Sequence, residues 1–380
     1  MNLNRRDWLR ASMLMGTGLV TAPAAYCEPW LDEAATAVPV MAPKAGLKAR
    51  LSANENPYGP SPKAIKAIAE ASSEGFLYPF QHAGELKKMI AAQEGVPEDH
   101  ILLSAGSGSL LTAAALYYTH KQPGGAILSA DPTYEQLMRT AVAHGAGWEK
   151  VPLTGGSYDH DLAEMEKRIS DKTSLVYVCN PNNPTGVTID PAQLRGFVER
   201  ASAKKPVFVD EAYIHYTGDP AKYSVIENVK KGQDVLVART FSKIYGMAGL
   251  RIGYIVGKPE TLAALMKWGG GPGQLSMTTI RAALACYKDE EFIKFSLSKG
   301  LEAREFLYTT LKQNGYTYLP SGTNFVLFPI RMKGDAFTGK MMEQGVSVRQ
   351  WKFDGQYWCR VSLGTMDQMK AFADALKVVS

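Results

Sequence analysis

From about residue 100 onward, short apolar runs alternate with segments whose apolar residues recur at helical spacing. Residues 101–104, 126–130, 174–179, 207–210, 235–240 and 252–256 are runs rich in Val, Ile and Leu with no polar alternation. Runs of this kind read as strands buried on both faces. Residues 109–118, 133–143 and 191–202 carry the helical spacing between them. Buried strands alternating with helices predict an α/β fold with a mostly parallel sheet covered on both sides. Past about residue 275 the pattern changes. Long helical patterns at 278–287 and 290–314 lead to short strands at 325–328, 346–349 and 359–362 and a last helix at 366–378. That texture predicts a smaller α+β domain. Lys267-Trp268-Gly269-Gly270-Gly271-Pro272-Gly273 reads as a turned or flexible connection between the two parts.

Length agrees with this division, since 380 residues exceed what one core usually supports. The expected large domain covers 76–274, and the smaller one combines 49–75 with 275–380. Hydrophobic residues at 46% and charged residues at 21% are ordinary for a water-soluble globular chain. The net charge of +5 comes partly from Arg5, Arg6 and Arg10, and no basic run of the nucleic-acid type follows. Small anionic ligands are therefore expected, and nucleic acid is not. The cysteines are Cys27, Cys179, Cys286 and Cys359, with no Cys-x-x-Cys pair and no histidine cluster beside them. Neither a metal site nor a disulfide framework is expected. Cys179 and Cys359 sit in strand-like runs and read as buried free thiols.

The N-terminus has the three parts of an export signal in order. Arg5-Arg6 opens a charged part, residues 11–20 are mildly apolar, and Ala22, Ala24 and Ala25 are small residues near a cleavage point. Paired arginines point to the twin-arginine route, with residues 1–25 as signal and a periplasmic or otherwise exported product. If the segment is only a basic tail, the protein is cytoplasmic. The apolar part is too short to span a membrane. Residues 26–48, rich in Ala and Pro, read as a linker or N-terminal arm.

In an open parallel sheet, ligands bind beyond the carboxyl ends of the strands. The polar residues at those ends are unusual here. Gly106-Ser107-Gly108-Ser109 follows one strand and opens a helix, where free N–H groups and the helix dipole would hold a phosphate. A plain Gly-rich turn would look the same. Asp210 ends another strand and either caps the next helical turn or pairs with a buried cation such as a protonated ring nitrogen. Lys243, in Arg239-Thr240-Phe241-Ser242-Lys243, ends a third. Desolvation there would lower its pKa and make it a Schiff-base nucleophile. Asn180-Pro181-Asn182-Asn183-Pro184-Thr185-Gly186 forms a rigid turn at the same sheet edge.

Taken together, and with Leu51-Ser52-Ala53-Asn54-Glu55-Asn56-Pro57-Tyr58-Gly59 at one end and Cys359-Arg360-Val361-Ser362-Leu363-Gly364-Thr365 at the other, these motifs resemble the fold-type I pyridoxal-phosphate aminotransferases. Within that group the chain is similar to the histidinol-phosphate aminotransferases. The resemblance covers nearly everything after the signal. It implies a seven-stranded sheet in the large domain, pyridoxal 5'-phosphate as cofactor, and a homodimer. It also implies roles. Lys243 would bind the cofactor and later move the substrate proton. Asp210 would keep the pyridine nitrogen protonated, and Asn183 and Tyr213 would bond the ring oxygen. Tyr134 would stack on the ring. Ser107, Gly108, Thr240, Ser242 and Arg251 would form the phosphate cup, and Tyr78 would reach the phosphate in the neighbouring subunit. Arg360 and Arg349 would hold the substrate's anionic group, with Asn54 and Tyr58 closing over the site and Asn324 in a polar turn beside it. The implied reaction moves an amino group from an L-amino acid or phosphorylated amine to a 2-oxo acid. The same residues would also serve decarboxylation of an amino acid. A non-catalytic binding protein is disfavoured by the intact set of Asn183, Asp210, Tyr213, Lys243 and Arg251.

Overall fold

The structure is a computed structural model that describes residues 46–269 and 271–379. The expected signal, Cys27 and all but the last residues of the 26–48 arm lie outside the described residues. In chain order the strands are β1 Ala49–Arg50, β2 Ile101–Ser104, β3 Ala126–Asp131, β4 Gly147–Pro152, β5 Thr173–Cys179, β6 Val207–Asp210, β7 Val235–Thr240, β8 Gly253–Val256, β9 Phe325–Pro329, β10 Val346–Ser347, β11 Arg349–Phe353 and β12 Gln356–Ser362. The helices are α1 Pro62–Ala71, α2 Phe80–Glu94, α3 Ser107–Lys121, α4 Gln136–Ala143, α5 Leu162–Arg168, α6 Pro191–Ser202, α7 Pro220–Tyr223, α8 Ile226–Lys230, α9 Pro259–Met266, α10 Met277–Tyr287, α11 Glu290–Gln313, α12 Gly334–Glu343 and α13 Met366–Val379.

Seven strands form one sheet in the order β2-β8-β7-β6-β5-β3-β4. All but β8 run parallel, because β8 is antiparallel to both of its neighbours. The carboxyl ends of β2, β3, β5, β6 and β7 therefore share one edge. Every residue of β5 is buried, since alternate side chains enter the two faces. Val176 and Val178 join the apolar cluster that holds Leu86 of α2, Phe197 of α6 and Ile280 of α10. Leu175 and Tyr177 join the opposite one, with Leu110 of α3, Leu137 of α4 and Leu265 of α9. An unbroken apolar run is what two-sided burial requires, which is why these strands are visible in the sequence. Edge strand β4 is not. Its Glu149 and Lys150 face solvent at least in part, and Lys150 Nζ lies 3.9 Å above the Trp148 ring, the charged pattern of a protected edge.

A three-stranded antiparallel sheet, β11-β12-β9, and a parallel pair, β1-β10, build the smaller part. Its core joins Leu307 and Leu311 of α11, Phe337 of α12 and Phe372 of α13 to β9 and β12. The apolar packing draws the boundary elsewhere than the sequence pattern does. Helices α1 and α10 fall within the spans expected for the smaller domain, yet Ala64, Ile280 and Ala283 pack in the core of the large sheet. The small buried face of α1 (Ala64, Ala67, Ala71) meets α10, a pairing between distant segments that no local period reveals. Two element boundaries also move. The strand expected at 346–349 is two strands, β10 paired with β1 and β11 paired with β12. The helix expected from 133 begins at Gln136, because Thr133 Oγ1 donates to Asn182 Oδ1 at 2.9 Å and holds the preceding turn open.

Helix ends follow their capping residues. Asp190 Oδ1 accepts from Ala192 N and Gln193 N, with Pro191 in the first turn of α6. Ser61 accepts from Ala64 N at the start of α1. Beneath the site edge, Arg239 of β7 is buried between two carboxylates, with Glu94 at 2.7 Å and Glu211 at 2.9 Å. Ser224 Oγ donates to Glu211, and Tyr254 OH donates to Glu94 at 2.7 Å, so the charges carry hydrogen bonds as well as each other. Cys179, Cys286 and Cys359 are free and buried.

Candidate active site

The β2 end supplies an anion cradle. Helix α3 starts at Ser107 and its N-cap, Gly106, offers no side-chain acceptor to the first N–H groups. Those groups are the unsatisfied donors of any helix start and carry its positive dipole end. Gly106 has φ of +84°, and a Cβ there would collide with the Arg251 guanidinium. Arg251 thus fills the space a side chain at 106 would need. It is itself left-handed at φ +54°, and its Nη1 donates to Ala248 O at 2.9 Å and reaches Ser242 Oγ at 3.4 Å. Ser242 N donates to Thr240 Oγ1 at 3.0 Å, which brings both hydroxyls to this end of β7. Gly106→Ala is expected to weaken cofactor affinity by about tenfold, since displacing the Arg251 guanidinium loses a charge-assisted hydrogen bond worth about 1.5 kcal/mol or more. A quench-of-fluorescence titration of the stripped protein reads it.

Next to the cradle, β6 ends in Asp210, which is almost fully buried. Tyr177 OH donates to its Oδ2 at 3.3 Å and Ala212 N to its Oδ1 at 3.1 Å. Burial still raises the carboxyl to about 6, because those bonds and the charge of Lys243 offset only part of the desolvation. A cation against this carboxylate would be strongly favoured. Tyr134 follows β3, with its OH donating to Gln136 Oε1 at 3.0 Å. Gln136 Nε2 in turn donates to Gly108 O at 2.9 Å and ties the β3 loop to the cradle. Burial, then the Asp210 carboxylate, push the Tyr134 hydroxyl up, while Arg349 and Arg251 oppose them. The ring accordingly sits amid the site's charges.

Lys243 follows β7. Its Nζ donates to Asn54 O at 3.0 Å and lies 5.4 Å from the Tyr213 ring centre. Burial, with Arg360 second, lowers its pKa to about 8; Glu55 and Asp210 pull the other way. Asn54 joins the site's two halves. Its Nδ2 donates to Tyr213 OH at 3.1 Å, and its Oδ1 accepts from Ser362 Oγ at 2.9 Å. Its N donates to Ser362 Oγ at 2.8 Å and its O accepts from Asn324 Nδ2 at 3.0 Å. A left-handed backbone, φ +53°, lets one residue point all four groups at these partners.

Arg360 of β12 is buried, with Nη1 donating to Asn183 Oδ1 and Nη2 to Ser52 O at 3.1 Å. Its Nε has no partner among the described residues, and neither has Asn324 Oδ1. Burial, with the Arg349 charge second, lowers Arg360 to about 10. Arg349 stands directly opposite Arg360 on β11, so the two side chains share a face of the hairpin.

The structure therefore brings together Ser107, Gly108, Tyr134, Asn183, Asp210, Tyr213, Thr240, Ser242, Lys243, Arg251, Arg349, Arg360 and Asn54. Two expected residues stand apart in this chain. The Tyr58 ring packs edge-on against Phe295 of α11, with Lys299 and Glu302 the charges acting on it. Tyr78 is 78% exposed and stacks on Phe80. Ser52, Gln136, Tyr177 and Ser362 were not anticipated. Small polar residues carry no local signature, and only the strand ends next to them point to their place.

These donors fit pyridoxal phosphate: an uncapped helix start with a guanidinium for a dianionic phosphate, and a buried carboxylate for a protonated ring nitrogen. A depressed lysine fits its carbonyl. Fold and site thus define a fold-type I pyridoxal-phosphate enzyme. The profile of the family "Aminotransferase class I and II" matches residues 48–376. The chain belongs to that family and is a pyridoxal-phosphate-dependent transaminase. A histidinol-phosphate aminotransferase of Moorella thermoacetica is 36% identical over 332 residues, covering 87% of this chain and 85% of the relative. One from Limosilactobacillus fermentum is 34% identical over 318 residues, covering 83% and 86%. The solved histidinol-phosphate aminotransferase of Sinorhizobium meliloti, in complex with pyridoxal-5'-phosphate, superposes with a TM-score of 0.82 at 24% identity, covering 96% of this chain and all of that one.

Among the described residues, no group of three or more His, Cys, Asp or Glu could hold a metal ion, and no helix is long and apolar enough to cross a membrane.

Proposed function

We propose that this transaminase takes its amino group from a donor with an anionic group, an L-amino acid or a phosphorylated amine such as histidinol phosphate, and passes it to a 2-oxo acid. The observation that carries this is the opposed pair Arg349 and Arg360, with Arg360 buried and its Nε unpartnered. Two like charges opposite each other on one hairpin face repel, and an anion between them would relieve that repulsion. Histidinol phosphate, named for the Moorella and Limosilactobacillus relatives, belongs to this class.

Bound pyridoxal phosphate supplies an electron sink for the charge left by the departing α-proton. Lys243 gives the amine that binds the cofactor, and afterwards its Nζ takes the donor's α-proton and returns it. Asp210 would be the counter-charge of the ring nitrogen. Asn183 and Tyr213 would bond the ring oxygen, and Tyr134 would lie against the ring. Ser107, Gly108, Thr240, Ser242 and Arg251 would hold the phosphate. Arg360 and Arg349 would hold the donor's anionic group and so fix its orientation in the site.

The reading includes a homodimer. Phe76 is 83% and Phe80 59% exposed on either side of Tyr78. An aromatic patch of this kind calls for a covering surface, and in a dimer Tyr78 would reach the partner's cofactor phosphate. The reading also includes export, which rests on the residue pattern of the first 25 positions.

An absorption scan of the cofactor-loaded protein, titrated with histidinol phosphate and then a panel of L-amino acids, tests the donor class. Reversible bleaching of the visible band by one such donor, restored by a 2-oxo acid, supports it. A band that no anionic donor changes reversibly sinks it. Arg360→Lys is expected to raise the donor KM by about tenfold or more, since lysine cannot give two parallel donors.

A further inference from the structure

We infer that Tyr158 is a positioning residue that latches the arginine-bearing hairpin to the large sheet and so sets the affinity for the anionic donor. This rests on the assignment of Arg349 and Arg360 to that donor. Hairpin β11–β12 turns through Asp354 and Gly355, with φ of +50° and +68°. Such values mark a tight two-residue turn of the primed type that Asp-Gly favours. The arginine pair sits at the other end of the hairpin, four residue pairs from Phe353 and Gln356, about 14 Å away at the rise of an antiparallel strand. A hairpin held only at its root would leave its tip free.

It is held at the tip. Tyr158 lies in the loop between β4 and α5, and its OH donates to Asp354 Oδ2 at 3.1 Å. Its ring meets Trp358 edge-on at 5.0 Å and Phe353 at 5.7 Å. Phe353 and Trp358 stack on each other at 4.9 Å. The next aromatic along the same face is Trp351, paired with Trp358. Its ring lies 5.6 Å from the Arg349 guanidinium and 5.8 Å from that of Arg360. Tyr158, Phe353, Trp358 and Trp351 thus pack in one cluster on the hairpin face that carries the arginines.

The loop is built to present this side chain. Tyr158 has φ of +53°, a left-handed conformation that a bulky residue adopts at a cost. Tyr158 N donates to Thr154 O at 3.0 Å, and Thr154 Oγ1 accepts from Asp159 N at 3.1 Å, so the loop is closed around that conformation. A tyrosine kept there points to what its ring and hydroxyl touch.

The test compares Tyr158→Ala, Tyr158→Phe and Asp354→Asn with Arg360→Lys in the cofactor-loaded protein. Tyr158→Ala is expected to raise the donor KM by about fivefold, the worth of an aromatic contact and a hydrogen bond at a half-exposed site. Its kcat and its visible spectrum are expected to stay within twofold, or about the scatter of such assays. Tyr158→Phe keeps the stack, Asp354→Asn keeps the turn, and both are expected to fall between wild type and Tyr158→Ala. If Arg360→Lys raises the donor KM while Tyr158→Ala leaves it unchanged, the latch is overturned and the arginine assignment stands. If Arg360→Lys also leaves it unchanged, the arginine assignment falls and takes the latch with it. If Tyr158→Ala lowers kcat and cofactor occupancy along with affinity, and Tyr158→Phe does the same, the residue is merely structural and the inference is overturned.

Discussion

Lys243→Ala is expected to lower kcat by about four orders of magnitude, the upper range for loss of a positioned proton-transfer group. The geometry leaves no substitute. Lys243 Nζ is held at 3.0 Å by the Asn54 carbonyl, over the Tyr213 ring, in a setting that lowers its pKa to about 8. At pH 8 roughly half of the amine is unprotonated, whereas an unperturbed lysine near 10.4 would offer under about 1%. The free amine is the reactive form. Cofactor uptake by the stripped wild-type protein is therefore expected to rise with pH through a midpoint at about 8 and to level off only once the amine is fully unprotonated. Borohydride treatment of the loaded protein, followed by peptide mass mapping, should place the cofactor mass on the Lys243 peptide. A mass on another lysine, or a variant with near-wild-type turnover, would refute the assignment.

Asp210→Asn is expected to act in opposite directions on the empty and the loaded protein. Burial raises the Asp210 carboxyl from 3.8 to about 6, so the folded state holds its proton more tightly than the unfolded state does. This carboxyl therefore costs nothing below about pH 4, and its penalty grows as pH rises to about 6 and is complete above it. That penalty amounts to about 3 kcal/mol. Asparagine keeps the acceptor for Tyr177 OH and Ala212 N but leaves a buried amide donor unpaired, which returns about 1–2 kcal/mol of the gain. The stripped variant should thus be more stable than stripped wild type by about 1 kcal/mol at pH 7.5, and less stable by about 1–2 kcal/mol near pH 4, where only the unpaired amide donor counts. In the loaded protein the carboxylate faces the ring nitrogen and the order reverses. Turnover should fall by about a hundredfold or more, because an amide cannot keep that nitrogen protonated. Paired urea titrations at the two pH values, with and without cofactor, check both signs. A stripped variant less stable than wild type at pH 7.5 would contradict the burial argument.

How much of the structure is legible in the sequence depends on where each interaction partner lies along the chain. Strands β5, β6 and β7 are legible because two-sided burial forces Val-rich runs such as 174–179, and their carboxyl ends then locate Asn183, Asp210 and Lys243. Strand β4 escapes notice because an exposed edge mixes Trp148 with Glu149 and Lys150. Strand β11 escapes because Arg349, Trp351 and Phe353 form a face only once the hairpin closes. Asn54 was legible as a neighbour of the site but not as its junction. Its partners Tyr213, Asn324 and Ser362 are separated from it by 159, 270 and 308 positions, and no spacing rule spans such distances. The packing of α1 on α10 was hidden for the same reason.

The buried guanidinium of Arg239 bears on how such a chain can change by descent. Glu94 ends one helix, Glu211 adjoins Asp210, and Arg239 lies on the strand that leads to Lys243, so three separated codons specify one buried knot of a guanidinium and two carboxylates. Losing Arg239 strands two carboxylates away from water, a loss of about 3–5 kcal/mol against a total stability of about 5–15, and the pair left by losing either glutamate can be broken only at a like cost. A lineage can cross to an apolar knot only by passing through such a cripple or by altering several positions nearly at once. Changes in the outer loops meet no such barrier, because surface substitutions away from buried networks usually cost under about 0.5 kcal/mol.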